Sequence, residues 1–141
     1  MPPSVHEVSP ENLLSEVAAR LPLGYRFVTM TCTDLGPAHD LLYHFDRDFQ
    51  LETLRMNLPK GKTPPSISVI YSAALLVENE IQDLFGIRFS GLVLDYEGRL
   101  LLSEGAPLAP QNKKPADSSA PEAVVKPNAD PDACEKEEGT A

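Results

Sequence analysis

The sequence predicts an α+β domain, in which one long helix packs on a small, mostly antiparallel sheet and a short helix lies near the N-terminus. Three consecutive segments within residues 25–58 are rich in β-branched and aromatic residues or alternate apolar with polar ones. The links between them are too short for parallel crossovers. Residues 73–85 instead place apolar side chains at helical spacing.

The composition limits what this chain can do. It has 141 residues and a formal net charge of −9, which together predict one acidic domain and argue against binding to nucleic acid or directly to anionic lipid. No apolar run approaches the roughly 20 residues that span a bilayer, and the N-terminus does not resemble a secretory signal. Cys32 and Cys134 match no metal-ligand spacing, so we expect a reduced, cytosolic location.

The character of the sequence changes after Leu102. Every aromatic residue lies at or before Tyr96, and residues 103–141 are rich in proline, alanine and acidic side chains. Such a stretch cannot bury enough apolar area to offset the entropy lost on ordering it. We therefore expect a folded domain at 1–102 and a disordered tail at 103–141.

The first predicted element is a short helix. Ser9 or Asn12 is placed to cap it, and apolar residues then recur every three or four positions as far as Arg20. Pro22 ends the helix because proline lacks the backbone donor that a further turn needs.

Three strands are predicted next, over residues 25–34, 40–47 and 49–58. A Leu-Gly-Pro turn at 35–37 separates the first two. Only residues 46–48 link the last two, which favours an antiparallel hairpin.

A proline-rich loop then leads into residues 67–71, which read as a short strand or as the lead into a helix. Ser72 is placed to cap a helix over 73–85, and Gly86 is placed to end it in a left-handed conformation. This helix has one apolar stripe that we expect to pack on the sheet, formed by Ala73, Ala74, Val77, Ile81, Leu84 and Phe85.

Some apolar residues of this region fall outside that stripe. Leu75 and Leu76 are either covered by the loops of the domain or contact another protein. Residues 87–89 predict a short edge strand, and residues 96–102 predict a final strand.

The most specific pattern is VENEIQDLFGIRFSG, at residues 77–91. It resembles the signature of the C subunit of respiratory complex I, E-R-E-x-x-D-(L/M)-(F/Y)-G-(I/V)-x-F-x-G, with Asn79 in place of the arginine. The resemblance extends over residues 23–102. The matching residues are Glu78, Glu80, Asp83, Leu84, Phe85, Gly86, Ile87, Phe89 and Gly91.

The sequence departs from that family after Gly91. Complex I subunits continue with His-Pro-Asp-Leu-Arg-Arg, whereas this chain has LVLDYEGRLLL and is shorter. In both respects it is more similar to the small soluble subunit of energy-converting, membrane-bound nickel–iron hydrogenases, including the CO-induced type. A complex I-like NADH/quinone oxidoreductase or a formate-linked complex remains the alternative.

The resemblance implies a non-catalytic scaffold subunit that binds no cofactor. Its partners would be the large nickel–iron catalytic subunit and the Fe–S small subunit, which would carry the nickel–iron centre and the Fe–S clusters. The complex would pass electrons from ferredoxin to protons. The chain would lie on the cytoplasmic side of the cell membrane and reach the membrane only through these partners.

Three carboxylates in the motif are the candidates for chemistry. Glu80 and Asp83 are helical neighbours and in principle form an acid–base pair or a metal site, as in an independent small enzyme. Glu78 lies roughly 160° around the helix from Glu80, so the three cannot converge on one ion. The commoner use of such positions is pairing with arginines or backbone amides, in this chain or in a partner, and a solvated face is the other alternative.

The remaining motif residues are assigned to packing, backbone geometry or an interface. We expect Gly86 to adopt a positive φ that turns Phe85 and its neighbours onto the core, and Gly91 to serve backbone geometry. The predicted interface and motif residues are Leu75, Leu76, Glu78, Glu80, Asp83, Phe85, Gly86, Phe89 and Gly91.

The histidines and the cysteine in the predicted strands look structural. His6, His39 and His44 make a poor metal set, because His39 and His44 are five residues apart and point to opposite faces of a strand. Cys32 lies within a strand and is expected to be a small, buried apolar residue. Tyr43 and Tyr71 either pack in the core or donate hydrogen bonds to a partner.

Overall fold

The computed structural model describes residues 3–113. Residues 114–141, which include most of the predicted tail and Cys134, lie outside the described part. The described elements are β1 (Ser4–Glu7), α1 (Leu13–Arg20), β2 (Arg26–Asp34), β3 (Ala38–Arg47), β4 (Gln50–Pro59) and α2 (Ala74–Phe85). The predicted α+β class is confirmed, with a short first helix and a longer second one.

The sheet has four strands in the order β1-β4-β3-β2 and is mixed. β2–β3 and β3–β4 are antiparallel, as predicted. β1 runs parallel to β4, with Ser4 opposite Glu52 and Glu7 opposite Arg55. The sequence pattern does not predict β1, because its four side chains are all exposed. The strand forms by pairing with the edge of β4 and has no apolar pattern of its own.

The β3–β4 hairpin is confirmed together with its short link. Arg47 pairs with Gln50 across a two-residue loop. The two loop residues, Asp48 and Phe49, have φ values of 52° and 62°. Positive φ at both central positions is the type I′ geometry, which matches the right-handed twist of the paired strands.

Both helices pack with the same face of the sheet in a single core. Burial alternates along β3, so Leu41, Tyr43 and Phe45 face inward. Arg20, at the end of α1, forms an ion pair with Glu52 of β4. The buried apolar residues are Leu13, Val17, Met30, Leu41, Tyr43, Phe45, Leu54, Met56, Leu58, Ile67, Ala74, Ile81, Ile87 and Phe89.

The predicted helix caps need a correction in detail. Asn12 is the N-cap residue of α1, but its side chain accepts a hydrogen bond from the Ser9 amide, at 2.7 Å, and caps no helical amide. Ala73 occupies the N-cap position of α2, and no side chain caps that helix, so Ser72 does not have the predicted role. Gly86 ends α2 with φ 70°, as predicted.

The chain after α2 differs most from the prediction. Neither residues 87–89 nor residues 96–102 form a strand, and residues 67–71 form turns that lead into α2. The strap (residues 87–113) instead crosses α2 as turns and irregular backbone. Side chains of α2 form hydrogen bonds with many backbone groups of the strap. These groups therefore do not need a neighbouring strand as a partner.

The end of the strap covers the C-terminal end of α2. Gln111 N donates to Leu84 O, and Asn112 Nδ2 donates to Phe85 O, each at 2.9 Å. Lys113 N donates to Asp34 Oδ2 at 2.5 Å. The folded part of the chain therefore continues to Lys113, and disorder in residues 114–141 stays a prediction.

Neither helix among residues 3–113 combines the length and the apolar character that crossing a bilayer requires.

Candidate functional site

The polar face of α2 is buried beneath the strap and the loop that precedes the helix. Four neighbouring polar side chains on this face are at most 4% exposed: Glu78, Asn79, Gln82 and Asp83. Buried polar side chains are destabilising unless they are hydrogen-bonded. The hydrogen-bond partners of these four side chains therefore show which segments this face of the helix holds in place.

Glu78 binds the loop that precedes α2. Its Oε1 accepts a hydrogen bond from Ile67 N at 2.7 Å, and its Oε2 accepts one from Ser66 Oγ at 2.5 Å. Ser66 Oγ also lies 2.6 Å from Ser68 Oγ, which accepts a hydrogen bond from Val93 N at 3.2 Å. One buried network thus joins α2, the loop before it and the strap.

The Glu78 carboxyl has no cationic partner among the described residues. Burial raises its pKa to about 7, although the hydrogen bonds from Ser66 and Ile67 favour the charged form. The Tyr43 hydroxyl is buried without a hydrogen-bond partner in the described part of the chain. Burial, followed by the charge of Glu78, raises the Tyr43 pKa well above its usual value.

Asn79 and Gln82 bind the first half of the strap. Asn79 donates to Leu94 O and accepts from Tyr96 N, both at 2.9 Å. Gln82 donates to Asp95 Oδ1 at 2.9 Å and accepts from Phe89 N at 3.1 Å. Each amide side chain uses both its donor and its acceptor, so together they fix the backbone of this segment.

Asp83 binds the second half of the strap. Its Oδ2 accepts hydrogen bonds from Leu101 N at 2.6 Å and from Leu102 N at 3.3 Å. Its Oδ1 is buried and has no partner among residues 3–113. Beside it lies an open cleft of about 660 Å³, lined by residues of α2 and the strap that include Asp83, Arg88, Glu97, Gly98, Arg99 and Leu108.

The three motif carboxylates do not share a site. Glu78 and Asp83 are buried in separate hydrogen-bond networks, and Glu80 is exposed. Among residues 3–113, no three side chains of histidine, cysteine, aspartate or glutamate are grouped so that they could hold a metal ion. Glu78 and Asp83 both accept hydrogen bonds from backbone amides, which is one of the uses expected for such positions from the sequence.

The strap also builds an apolar surface. Hydrogen bonds through Ser68 and Asn79 hold Val93, Leu94 and Tyr96 next to the loop and helix that carry Val69 and Leu76. A contiguous exposed apolar surface is one feature of protein–protein contact sites. We call this surface the apolar patch, and its exposed residues are Val69, Leu76, Val93, Leu94 and Tyr96.

The other predicted motif residues are dispersed around this region. Leu75 is half-buried and Leu76 is exposed. Phe85 is half-buried against the His39 ring, whereas Phe89 is buried in the core. Gly91 is exposed and has φ 76°. An interface role for this set stays a prediction.

The structural roles of Asn79 and Gln82 were not predicted from the sequence. In the sequence, Asn79 stands out only as a departure from the family signature. With Glu78 and Asp83 they occupy helix positions i, i+1, i+4 and i+5, which form one polar stripe. That stripe was the available signal, but it does not reveal whether solvent or the strap covers it.

The histidines lie on opposite faces of β3, as predicted. His39 faces inward and its Nε2 lies 2.9 Å from Asn112 Oδ1. His44 lies between Thr31 Oγ1 and Thr53 Oγ1, at 2.7 and 2.9 Å, on the other face.

Cys32 and Tyr71 are both partly buried. Burial, with nearby Asp34 and Asp40, raises the pKa of the Cys32 thiol to about 12. Tyr71 packs against the core and donates a hydrogen bond to Tyr25 O at 2.9 Å. Its hydroxyl is therefore used within this chain.

Comparisons with known proteins give one family match and one structure of similar fold. The family model of the 30 kDa subunit of respiratory-chain NADH dehydrogenase matches residues 6–119. Among solved structures, a chain of the membrane-bound sulfane sulfur reductase, an archaeal respiratory membrane complex, superposes with a TM-score of 0.63 at 18% identity. The match covers 71% of this chain and 64% of that one, so this chain spans less than two thirds of its length. A search of curated proteins finds no significant match.

Proposed function

This chain belongs to the family of the 30 kDa subunit of respiratory-chain NADH dehydrogenase, and from that membership we propose that it is a non-catalytic scaffold subunit of a membrane-bound respiratory oxidoreductase complex. Its task is to present a fixed surface to a larger partner subunit. The observation that carries this proposal is the apolar patch, held in place by buried hydrogen bonds from α2.

The buried polar face of α2 supports a scaffold role. Glu78, Asn79, Gln82 and Asp83 bind backbone groups of the strap and of the loop before α2. Side chains used in this way fix a segment in one conformation, so little further ordering is needed when a partner binds. We infer that the motif serves to build the docking surface.

At a finer level, we propose that the complex is an energy-converting nickel–iron hydrogenase. The support is the segment after Gly91, where LVLDYEGRLLL replaces the His-Pro segment of complex I subunits. The nickel–iron centre and the Fe–S clusters would lie in the large and small partner subunits, which carry electrons from ferredoxin to protons.

A complex I-like NADH/quinone or formate-linked complex is the second candidate. Membership of the NADH dehydrogenase subunit family favours it. In either complex we propose a position on the cytoplasmic face of the cell membrane, reached through the partners, because a net charge of −9 opposes direct contact with anionic lipid.

Affinity purification of the tagged full chain from its own host tests this proposal. We expect it to retain a large catalytic subunit and an Fe–S subunit, whose identities by mass spectrometry distinguish a hydrogenase from a complex I-like enzyme. A chain that purifies alone would contradict the scaffold role.

A matched pair of variants tests the apolar patch. Leu76 is 56% exposed within the patch, and Leu21, at the end of α1, is 51% exposed outside it. We expect Leu76→Lys to reduce recovery of the large subunit at least tenfold and Leu21→Lys to reduce it less than threefold, with equal thermal stability. Equal recovery for both variants would show that the patch is not the docking surface.

A further inference from the structure

A second, smaller cleft lies where the loop after β4 meets the end of α2. Residues 61–63, residues 86–88 and the ring of His39 line it, and we call it the basic cleft. Its volume is about 110 Å³. This is below the range of about 300–1,000 Å³ for pockets that hold a whole drug-sized ligand, and it leaves room for one small chemical group.

The charge in the basic cleft is opposite to that of the whole chain. The chain carries a net charge of −9, yet among the described residues no acidic side chain lines this cleft. Lys62 and Arg88 supply two positive charges, and the His39 imidazole supplies a third when it is protonated. An acidic protein thus concentrates positive charge at one small site.

Lys62 and Arg88 have no ion-pair partner in the described part of the chain. Every other arginine of residues 3–113 lies within 4.0 Å of a carboxylate oxygen. Glu11 and Asp95 interact with Lys62 and Arg88 only at longer range. Because like charges that share a cleft repel each other, an anion placed between the two cations is favourable.

The end of α2 offers another reason for cations at this place. Carbonyl groups at the C-terminus of a helix carry partial negative charge and attract cations. In this chain the strap already binds that end. Leu84 O accepts a hydrogen bond from Gln111 N, and Phe85 O accepts one from Asn112 Nδ2, each at 2.9 Å. Since these donors partly offset the negative end of the helix, the two cations remain available to an anion.

The strap also orients the ring of His39. Asn112 Nδ2 donates to Phe85 O, so Asn112 Oδ1 is the acceptor that faces His39. His39 Nε2 therefore carries the hydrogen of this 2.9 Å contact. When Nδ1 is protonated as well, the ring is cationic, and an anion nearby favours that form. His39 is 5% exposed, so the cleft combines one buried polar ring with two exposed cations.

We propose that the basic cleft binds one oxyanion, a phosphate or a carboxylate group, between Lys62 and Arg88. The guanidinium presents parallel donors that match the oxygens of such a group, and the ammonium adds a point charge. The Thr63 hydroxyl, in the same cleft, is a further donor. The anion joins the segments before and after α2. This binding site goes beyond the proposed scaffold role and does not depend on it.

Titration of the isolated full chain with inorganic phosphate tests the proposal. The amide NMR signals of Gly61, Thr63 and Arg88 should shift along one saturable curve. A constant ionic strength keeps the general screening of charges unchanged during the titration. We expect Lys62→Gln and Arg88→Gln each to weaken phosphate binding at least fivefold. Lys62→Arg keeps the positive charge and should change the affinity less than twofold.

Arg99→Gln is the matched control. It removes the same charge from the strap, where the Arg99 side chain is 73% exposed and lies near Glu104, and it should change the phosphate affinity less than twofold. Lys62→Gln and Arg88→Gln should keep the wild-type Tm within a few degrees, because these exposed side chains have no ion pair in residues 3–113 to lose.

The absence of a saturable shift in wild type would overturn the proposal. Equal phosphate affinity of wild type, Lys62→Gln and Arg88→Gln would overturn it as well. If these two variants lower Tm and leave phosphate binding unchanged, the cations serve the end of α2 and the cleft is not an anion site.

Two further arms identify the source of the anion. Acetate in place of phosphate should shift the same amide signals, since a carboxylate presents similar oxygens. The second arm is a full chain in which every aspartate and glutamate of residues 114–141 is replaced by the matching amide. Tighter phosphate binding by this variant assigns the occupant to the chain's own carboxylates, and unchanged binding assigns it to an anion from outside the chain. Because all these measurements use the isolated chain, their failure leaves the scaffold role intact.

Discussion

The Glu78 carboxylate accepts a 2.7 Å hydrogen bond from the backbone amide of Ile67 inside the domain. This contact joins the middle of α2 to the loop before it. Through Ser66 and Ser68 the same network reaches Val93 in the strap. A motif glutamate thus organises the local backbone.

The first prediction concerns the pH dependence of stability. The Glu78 pKa is about 7 in the folded chain because of burial, against 4.5 for an ordinary glutamate. Between these pH values the folded state binds the proton more tightly, so the free energy of unfolding falls as pH rises. A pKa difference of about 2.5 corresponds to about 3 kcal/mol. Glu78→Gln should remove this fall, as measured by denaturant unfolding from pH 4 to pH 8.

Glu80→Gln is the control, because Glu80 is exposed two residues further along the same helix. It should keep the wild-type pH profile. Parallel profiles for Glu78→Gln and wild type would show that Glu78 does not titrate in this range.

The second prediction concerns Asn79. Asn79→Ala removes the hydrogen bonds to Leu94 O and Tyr96 N, and a polar group that stays buried without its partner costs about 1–3 kcal/mol. We expect a loss of about 2–4 kcal/mol in the free energy of unfolding and faster proteolysis within residues 92–102. Asn57→Ala, an exposed position on β4, should cost less than about 0.5 kcal/mol. Unchanged proteolysis of the strap would argue against its attachment through Asn79.

The third prediction concerns Gly86. It has φ 70°, and an added Cβ would lie 3.2 Å from Ala109 Cβ. Gly86→Val should therefore combine left-handed strain of about 1–2 kcal/mol with a clash against the strap, and lower thermal stability and assembly together. Gly91→Val, at φ 76° with open space around it, should show the strain alone. Normal stability and normal assembly of Gly86→Val would reject this role for Gly86.

A double variant isolates the contact between Gly86 and Ala109. In an Ala109→Gly background, Gly86→Val should be no more destabilising than Gly91→Val. If Gly86→Val is still more destabilising than Gly91→Val in that background, the additional loss of stability does not come from the contact with Ala109.

The fourth prediction concerns Cys32. Burial and the nearby Asp34 and Asp40 raise its pKa to about 12, from 9.0. The reactive thiolate is then roughly 1,000-fold rarer than for an ordinary thiol. In a Cys134→Ser chain, iodoacetamide at pH 8 should label Cys32 at least 100-fold more slowly than in denaturant, as followed by intact mass. Comparable rates in the two conditions would show that the β2–β3 region opens readily.

The elements predicted correctly are those with local causes. β3 and β4 are predicted by the alternation of apolar and polar residues and by a link too short for a parallel crossover. α2 is predicted by apolar residues at helical spacing, and Gly86 ends the helix. β1 escaped prediction because it depends on an edge of β4 more than 40 residues away. The predicted strand at 96–102 failed because side chains of α2 bind the backbone there.

The sequence by itself determined the α+β class, the order of β2, β3, β4 and α2, and the family motif, because these depend on local spacing and composition. Only the tertiary structure decided which groups the polar side chains of the motif bind. The polar stripe of α2 looks the same in sequence whether solvent, a metal or a partner covers it. The path of the strap showed that Glu78 and Asp83 bind backbone amides and that one Asp83 oxygen remains without a donor in residues 3–113. A hydrogen bond between distant segments depends on the positions of both segments in space. A local sequence pattern describes one segment and does not specify where the other one lies.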